Sequence, residues 1–188
     1  MQKRTLETRS RLISAAEEII AHVGFEALRV EEVVLRAGTA KGTFFAHFKD
    51  KDALMDRIIG ARLEEHLAAL GAGPTPHTPD KVADALMPLC AFMTSERYVF
   101  DLIVRYSGAA AVEEIGAIAA TFGQQIEIFT AWASEARFRE DISPELQAEG
   151  VQAFMIQAMA AKFCALHNAQ SIRDRLVPYL NAWLKPCA

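Results

Sequence analysis

Apolar residues recur every three to four positions along almost the whole chain, and no stretch alternates with period two for the length of a strand. Leu12, Ile13, Ala16, Ile19, Ile20 and Val23 form one such stripe, with Arg9, Arg11, Glu17 and Glu18 off it. A stripe of this period lies on one face of a helix and asks for a core to cover it. The expected fold class is therefore all-α. Helix breakers divide the pattern. Gly24 ends a first helix expected over Thr5–His22, and Gly38 ends a short second one over Val30–Arg36. After the step Gly38-Thr39-Ala40 a third begins within "TAKGTFFAHF", and Asp50 can cap a long fourth from Lys51 to about Leu70, with Asp52 in its first turn. "GAGPTPHTPD", residues 71–80, reads as a loop because its prolines and glycines cannot continue a helix. Further helices are expected near 80–93, 95–106, 111–136, 144–168 and 171–184, with Ser95, Gly108, Ser143-Pro144 and Ser171 at their junctions.

The pattern suggests a small unit of three helices, residues 1–50, followed by a larger helical unit, residues 51–188. With 52% hydrophobic and 23% charged residues the chain can bury a large core. The formal net charge is −4, which taken alone argues against a general nucleic-acid binder. The charge is uneven, however. Residues 1–57 hold ten Lys/Arg against nine Asp/Glu, and residues 58–188 hold ten against fifteen. The first twelve residues carry Lys3, Arg4, Arg9 and Arg11 against Glu7 alone. A basic tip on an acidic body suits local contact with a polyanion. Cys90, Cys164 and Cys187 are far apart and form no Cys-x-x-Cys pair, as expected of reduced thiols in a cytoplasmic protein. No apolar run approaches the roughly 18 residues of a membrane span, and the N-terminus lacks the apolar core of a signal peptide. No membrane association is expected.

Three helices in the order long, short, short, with a tight glycine turn between the last two, match a helix-turn-helix. The third helix would enter the major groove, about 12 Å wide. Gly42 costs roughly 1 kcal/mol of helix propensity and lets the backbone approach phosphate or a neighbouring helix. Lys41 supplies charge, and Thr43 offers a small donor and a methyl that can meet a thymine. Phe44 and Phe48, at i and i+4, would share the face packed on the first two helices, leaving Phe45 and His47 towards DNA.

Catalytic and metal signals are weak. Walker, nucleophile-elbow and dinucleotide glycine motifs do not occur. His22, His47, His66, His77 and His167 are scattered without metal-ligand spacing. Cys164 and His167 would lie one helical turn apart, but no third group orients them as a nucleophile pair. Neither an enzyme, a cofactor nor a metal is expected.

Residues 24–54, "GFEALRVEEVVLRAGTAKGTFFAHFKDKDAL", resemble the signature of the TetR family of one-component bacterial regulators. The matches are Gly24-Phe25, Ala37-Gly38, Lys41-Gly42-Thr43, His47-Phe48 and Lys51 followed by Ala53-Leu54. Some positions depart from the family pattern. Arg29 stands where Thr or Ser commonly caps the second helix, and Val34 replaces an Ala. Ala40 replaces a Ser, with Thr39 as a substitute cap, and Phe45 replaces a Tyr whose hydroxyl reaches phosphate.

The resemblance implies a sequence-specific transcriptional regulator, a repressor released from a palindromic operator in double-stranded DNA by a small-molecule effector. It implies that Thr43, Phe45 and His47 face DNA, that Lys41 and Lys51 lie near the backbone, and that Gly42 and Arg4 belong to the same surface. It also implies a homodimer, expected here through the two C-terminal helices, whose apolar faces are broad and rich in alanine. Candidate residues for a largely apolar ligand are Phe92, Tyr98, Phe122, Phe129, Trp132, Met155, Met159 and Phe163, with Tyr98, Gln125 and His167 as polar tips. The alternative is a helical ligand carrier that has lost DNA binding.

Overall fold

Four of the helices start where a short polar side chain satisfies one of the first free backbone N–H groups. The computed structural model describes residues 2–107 and 115–185. Asp50 accepts from the amide of Ala53 at 2.8 Å, Thr78 from Lys81 at 3.3 Å and Ser171 from Asp174 at 3.1 Å. Ser143 does the same for Leu146, and Pro79 and Pro144 occupy first-turn positions where no N–H is needed. The described elements are α1 (Gln2–Val23), α2 (Val30–Arg36), α3 (Lys41–Phe45), α4 (Lys51–Ala72), α5 (Pro79–Met93), α6 (Arg97–Tyr106), α7 (Ala117–Ala136), α8 (Pro144–Lys162) and α9 (Ile172–Leu184). Among the described residues all regular structure is helical.

The head, α1 to α3, closes on Leu12, Ala16, Leu28, Val33, Phe44 and Phe48, all buried. Gly24 and Gly38, at φ +84° and +61°, supply the left-handed turns that end α1 and α2. In the body, α7 packs on α4 and α8, while α9 packs on α8 and α5. The buried apolar residues form one cluster running from Leu12 to Leu184, so α4 contributes to the cores of both head and body. Two glycines permit the closest helix approaches. A Cβ on Gly60 would lie 2.5 Å from that of Ala117, and a Cβ on Gly150 would sit inside the Trp183 indole. The Trp183 Nε1–H donates to the carbonyl of Gln147 at 3.1 Å, which fixes the indole across α8.

Several boundaries differ from those expected. The seventh helix starts at Ala117, because Asp56 accepts from the amides of Ala117 and Ile118 and sets the first turn there. The sixth starts at Arg97, with Glu96 in the capping position. The eighth ends at Lys162, whose ammonium donates to the Thr94 carbonyl at 2.9 Å. Beyond it Leu166 is 85% exposed, so no apolar face rewards another turn. Cys164 and His167 consequently lie in turns, not on one helix face. Thr39 does not cap α3: Ala40 holds that position, and the Thr39 hydroxyl is buried without a partner. Gly108, residues 111–114, Cys187 and the side chain of Lys3 lie outside the described residues.

The two kinds of glycine should respond oppositely to alanine. Gly150→Ala must displace Trp183 and is expected to cost about 1–3 kcal/mol. Gly123→Ala, in the middle of α7 with nothing within 4 Å of the added Cβ, is expected to gain about 0.5–1 kcal/mol. Thermal denaturation of the two variants checks both signs.

Candidate nucleic-acid interface, joint and cleft

The exposed surface of α3 has little internal purpose. Phe44 and Phe48 are buried with ring centroids 5.6 Å apart, and they hold the helix on the head core. Phe45 stands edge-on to Phe44 but remains 49% exposed. Gly42 is exposed, and nothing lies within 4 Å of where its Cβ would be, so no neighbouring helix explains it. Thr43 and His47 are half-buried. Lys41 pairs with Glu31 at 2.6 Å and holds that carboxyl below its usual range. Both partners are exposed, so the pair yields readily to a stronger anion. Arg4 is exposed on the first turn of α1. The guanidinium of Arg9 stacks over Phe48 at 5.1 Å, beside α3.

Lys51 adopts a different geometry from that of a free phosphate ligand. Its Nζ donates to the carbonyl of Glu26 at 2.7 Å and lies 4.6 Å from the centre of the Tyr98 ring. Burial lowers its pKa against the opposing charges of Asp52, Glu26 and Glu96. The residue thus belongs to a joint between head and body. There the carboxylate of Glu96 accepts from the amides of Phe25 at 2.8 Å and Glu26 at 2.9 Å. A Cβ on Gly24 would come within 2.7 Å of that carboxylate. Asp52 accepts from the Tyr98 hydroxyl at 2.8 Å and from Arg105 at 2.9 Å. Burial, reinforced by Asp52, raises the pKa of the Tyr98 phenol and keeps it a donor.

At the other end of α4 a cleft of about 810 Å³ opens between α4, α5 and α7. Its apolar wall includes Ala69, Leu70, Ala85, Pro88, Leu89 and Trp132, and the loop residues Pro74 and Pro76 close one side. Polar side chains at its border are His66, Thr75, His77, Lys81, Asp84 and Glu135. Such a volume and lining suit a small, largely apolar molecule.

Of the eight aromatic and Met residues expected around a ligand, Trp132 borders this cleft. Phe129 packs behind it at 5.5 Å, and Phe92 stacks on the cleft residue His66 at 5.3 Å. Tyr98 is in the joint, Met155 and Met159 are fully buried, and Phe122 packs against the core. Phe163 lies against Phe100 at 5.5 Å. Of the polar tips, Gln125 is buried and its oxygen accepts from Gln152, while His167 is exposed. Burial pushes the Cys90 thiol up to about 12, so it stays protonated. Among the described residues no three His, Cys, Asp or Glu side chains converge on a metal position, and no helix is long and apolar enough to cross a membrane.

The sequence pattern did not signal Glu96, Asp52, His66, Lys81 or Glu135 as site residues. Their roles arise from contacts across the fold, such as the 71 positions between Phe25 and Glu96. The proline-rich segment 71–80 was the one local sign of the cleft, since it forms part of the wall.

Comparison with known proteins fits this geometry. Residues 12–58 match the family described as bacterial regulatory proteins, tetR family. The chain is 31% identical over 112 residues to an uncharacterized HTH-type transcriptional regulator, YvdT, of Bacillus subtilis (strain 168), a match covering 58% of this chain and 57% of that one. It is 30% identical over 103 residues to the HTH-type transcriptional repressor BepR of Brucella suis biovar 1 (strain 1330), covering 52% and 49%. The chain thus spans about half the length of these relatives. Its fold is similar to that of Thermus thermophilus FadR, a TetR-family transcriptional repressor solved with lauroyl-CoA, with a TM-score of 0.63 at 19% identity over 94% of this chain and 93% of that one. Residues 12–58 are thus similar to the tetR family of bacterial regulatory proteins, and the whole chain shares the helical fold of these neighbours.

Proposed function

We propose that the chain is a sequence-specific DNA-binding transcriptional regulator, a repressor that a small, largely apolar ligand releases from a palindromic operator. The observation that carries this reading is the surface of α3. It presents a half-exposed Phe45, a glycine with open space above it and a weakly held Lys41. A folded chain gains nothing from these features by itself. A helix seated in a major groove uses each of them: Gly42 for close approach, Lys41 for phosphate, and Thr43, Phe45 and His47 for base edges and thymine methyls. FadR of Thermus thermophilus, with its lauroyl-CoA, supports a ligand role for the body.

Release requires the cleft to communicate with the head. The 22 residues of α4 span roughly 33 Å and carry Asp52 at the joint and His66, Ala69 and Leu70 at the cleft. A second route is side-chain packing: His66 stacks on Phe92, and Phe92 meets Phe25 edge-on at 6.2 Å. Phe25 in turn is held by Glu96. In a dimer the two copies of α3 must lie about 34–36 Å apart to enter successive major grooves. A ligand that prefers another head position shifts the population by its differential affinity and no more. For the dimer we favour the outer face of α8 and α9. There Phe154, Tyr179 and Trp183 are half-buried, with Phe154 and Tyr179 stacked at 5.2 Å, and Ala153 and Ala182 leave room for close approach.

Selection from a random duplex library tests the function. The expected outcome is a palindrome whose half-sites lie about one helical turn apart, bound with an affinity that falls steeply with salt. Failure of folded, dimeric protein to enrich any sequence would favour the ligand carrier. On the selected site, Thr43→Ala or His47→Ala is expected to cost about 1–3 kcal/mol. Gly42→Ala separates function from stability. It should leave the chain as stable or more so by up to about 1 kcal/mol, because the added Cβ meets nothing, while operator affinity falls. Ala153→Arg should yield a folded monomer by sedimentation, with operator binding weakened. A variant that remains dimeric would place the interface elsewhere.

A further inference from the structure

We propose that the cleft between α4, α5 and α7 takes an amphiphile with an apolar body and an anionic head, the head seated at Lys81. The proposal rests on the cleft being the effector site and gives its ligand a chemical class.

The polar side chains around the cleft divide sharply by whether they are already engaged. Both carboxylates at its border are committed. Asp84 accepts from Arg173 at 2.6 Å, and Glu135 accepts from the Thr75 hydroxyl at 2.8 Å. Asp80, the acid in the first turn of α5, accepts from the Asn181 amide at 3.4 Å. Among the described residues, the Lys81 ammonium and the ring nitrogens of His66 and His77 have no hydrogen-bond partner. The border side chains without such a partner are thus an ammonium and two imidazoles, while each carboxylate already holds one. A carboxylate, sulfonate or phosphate brings the matching acceptors. An ammonium would find one carboxylate neutralised by an arginine and the other already receiving a hydroxyl.

The arrangement also gives the ligand a direction. Lys81 lies in the first turn of α5 and His66 stacks on Phe92 near its last. The eleven helical steps from position 81 to position 92 correspond to roughly 16 Å of helix. Ala85, Pro88 and Leu89 cover the interval with apolar surface. A head at Lys81 thus leaves an apolar chain or ring system lying along α5 towards His66.

The test uses N-phenyl-1-naphthylamine, a neutral dye whose fluorescence rises in an apolar site, displaced by decanoate or by decylammonium below their micellar concentrations. Ala85→Trp, which fills the cleft, should abolish dye binding and so locate the probe. In the natural chain decanoate is expected to displace the dye at about fivefold lower concentration than decylammonium, about 1 kcal/mol, as suits a partly exposed charge pair. Lys81→Met keeps the apolar stem and should erase that preference, read as the ratio of the two displacing concentrations. A preference for decylammonium, or a decanoate preference that survives Lys81→Met, overturns the anionic class and leaves the effector reading standing. A dye that fails to bind the folded protein removes the proposal and the effector role of the cleft together.

Discussion

Carboxylates set across the seam between head and body are the interaction on which the rest of the molecule depends. Glu96 reaches from the start of α6 to two backbone amides of the loop after α1. Asp52 gathers a tyrosine hydroxyl and an arginine from α6, and Asp56 sets the first turn of α7. Hydrogen bonds to charged groups are worth about 1.5–3 kcal/mol each, roughly twice a neutral bond. They are also directional, so they fix where the head points as well as that it is attached. Gly24 serves this seam twice. Its positive φ ends α1, and its missing Cβ leaves space for the Glu96 carboxylate.

The cleft owes its place to the same helix that carries the seam. The prolines after α4 stop the helix and direct the chain away before α5 begins. The two helices and α7 line the cleft, with Trp132 on its wall and otherwise buried. Because α4 is a single rod, a molecule in the cleft presses on the element that holds Asp52 and Asp56 at the other end. The stack from His66 through Phe92 to Phe25 ends on the loop gripped by Glu96. Packed cores rearrange between discrete states more readily than they deform smoothly. A modest change at His66 therefore has a defined destination.

What could be read in the chain beforehand follows from the range of the forces involved. Helix starts at Asp50, Ser143 and Ser171 are decided within three or four residues, and they were legible. The i, i+4 spacing of Phe44 and Phe48 likewise implied the buried face of α3. The start of α7 was not legible, because Asp56 sets it from 61 positions away. The end of α8 was missed because apolar residues such as Leu166 suggested further turns that no neighbour covers. The resemblance implies Lys51 near the DNA backbone, while in this chain its ammonium meets the Glu26 carbonyl and the Tyr98 ring, contacts from distant positions that its local sequence does not reveal. Core and cleft draw on one composition, so a list of aromatic and Met residues did not separate Trp132 from Met155 or Phe129.

The most direct measurement is amide hydrogen exchange at Phe25 and Glu26 with the cleft empty and with it filled by N-phenyl-1-naphthylamine. If the cleft is coupled to the head through the Glu96 seam, occupancy should change exchange at these two amides. Phe48, whose amide bonds to the Phe44 carbonyl inside the head at 2.9 Å, should stay as it was. Unchanged exchange at Phe25 and Glu26 with the dye demonstrably bound would contradict that coupling.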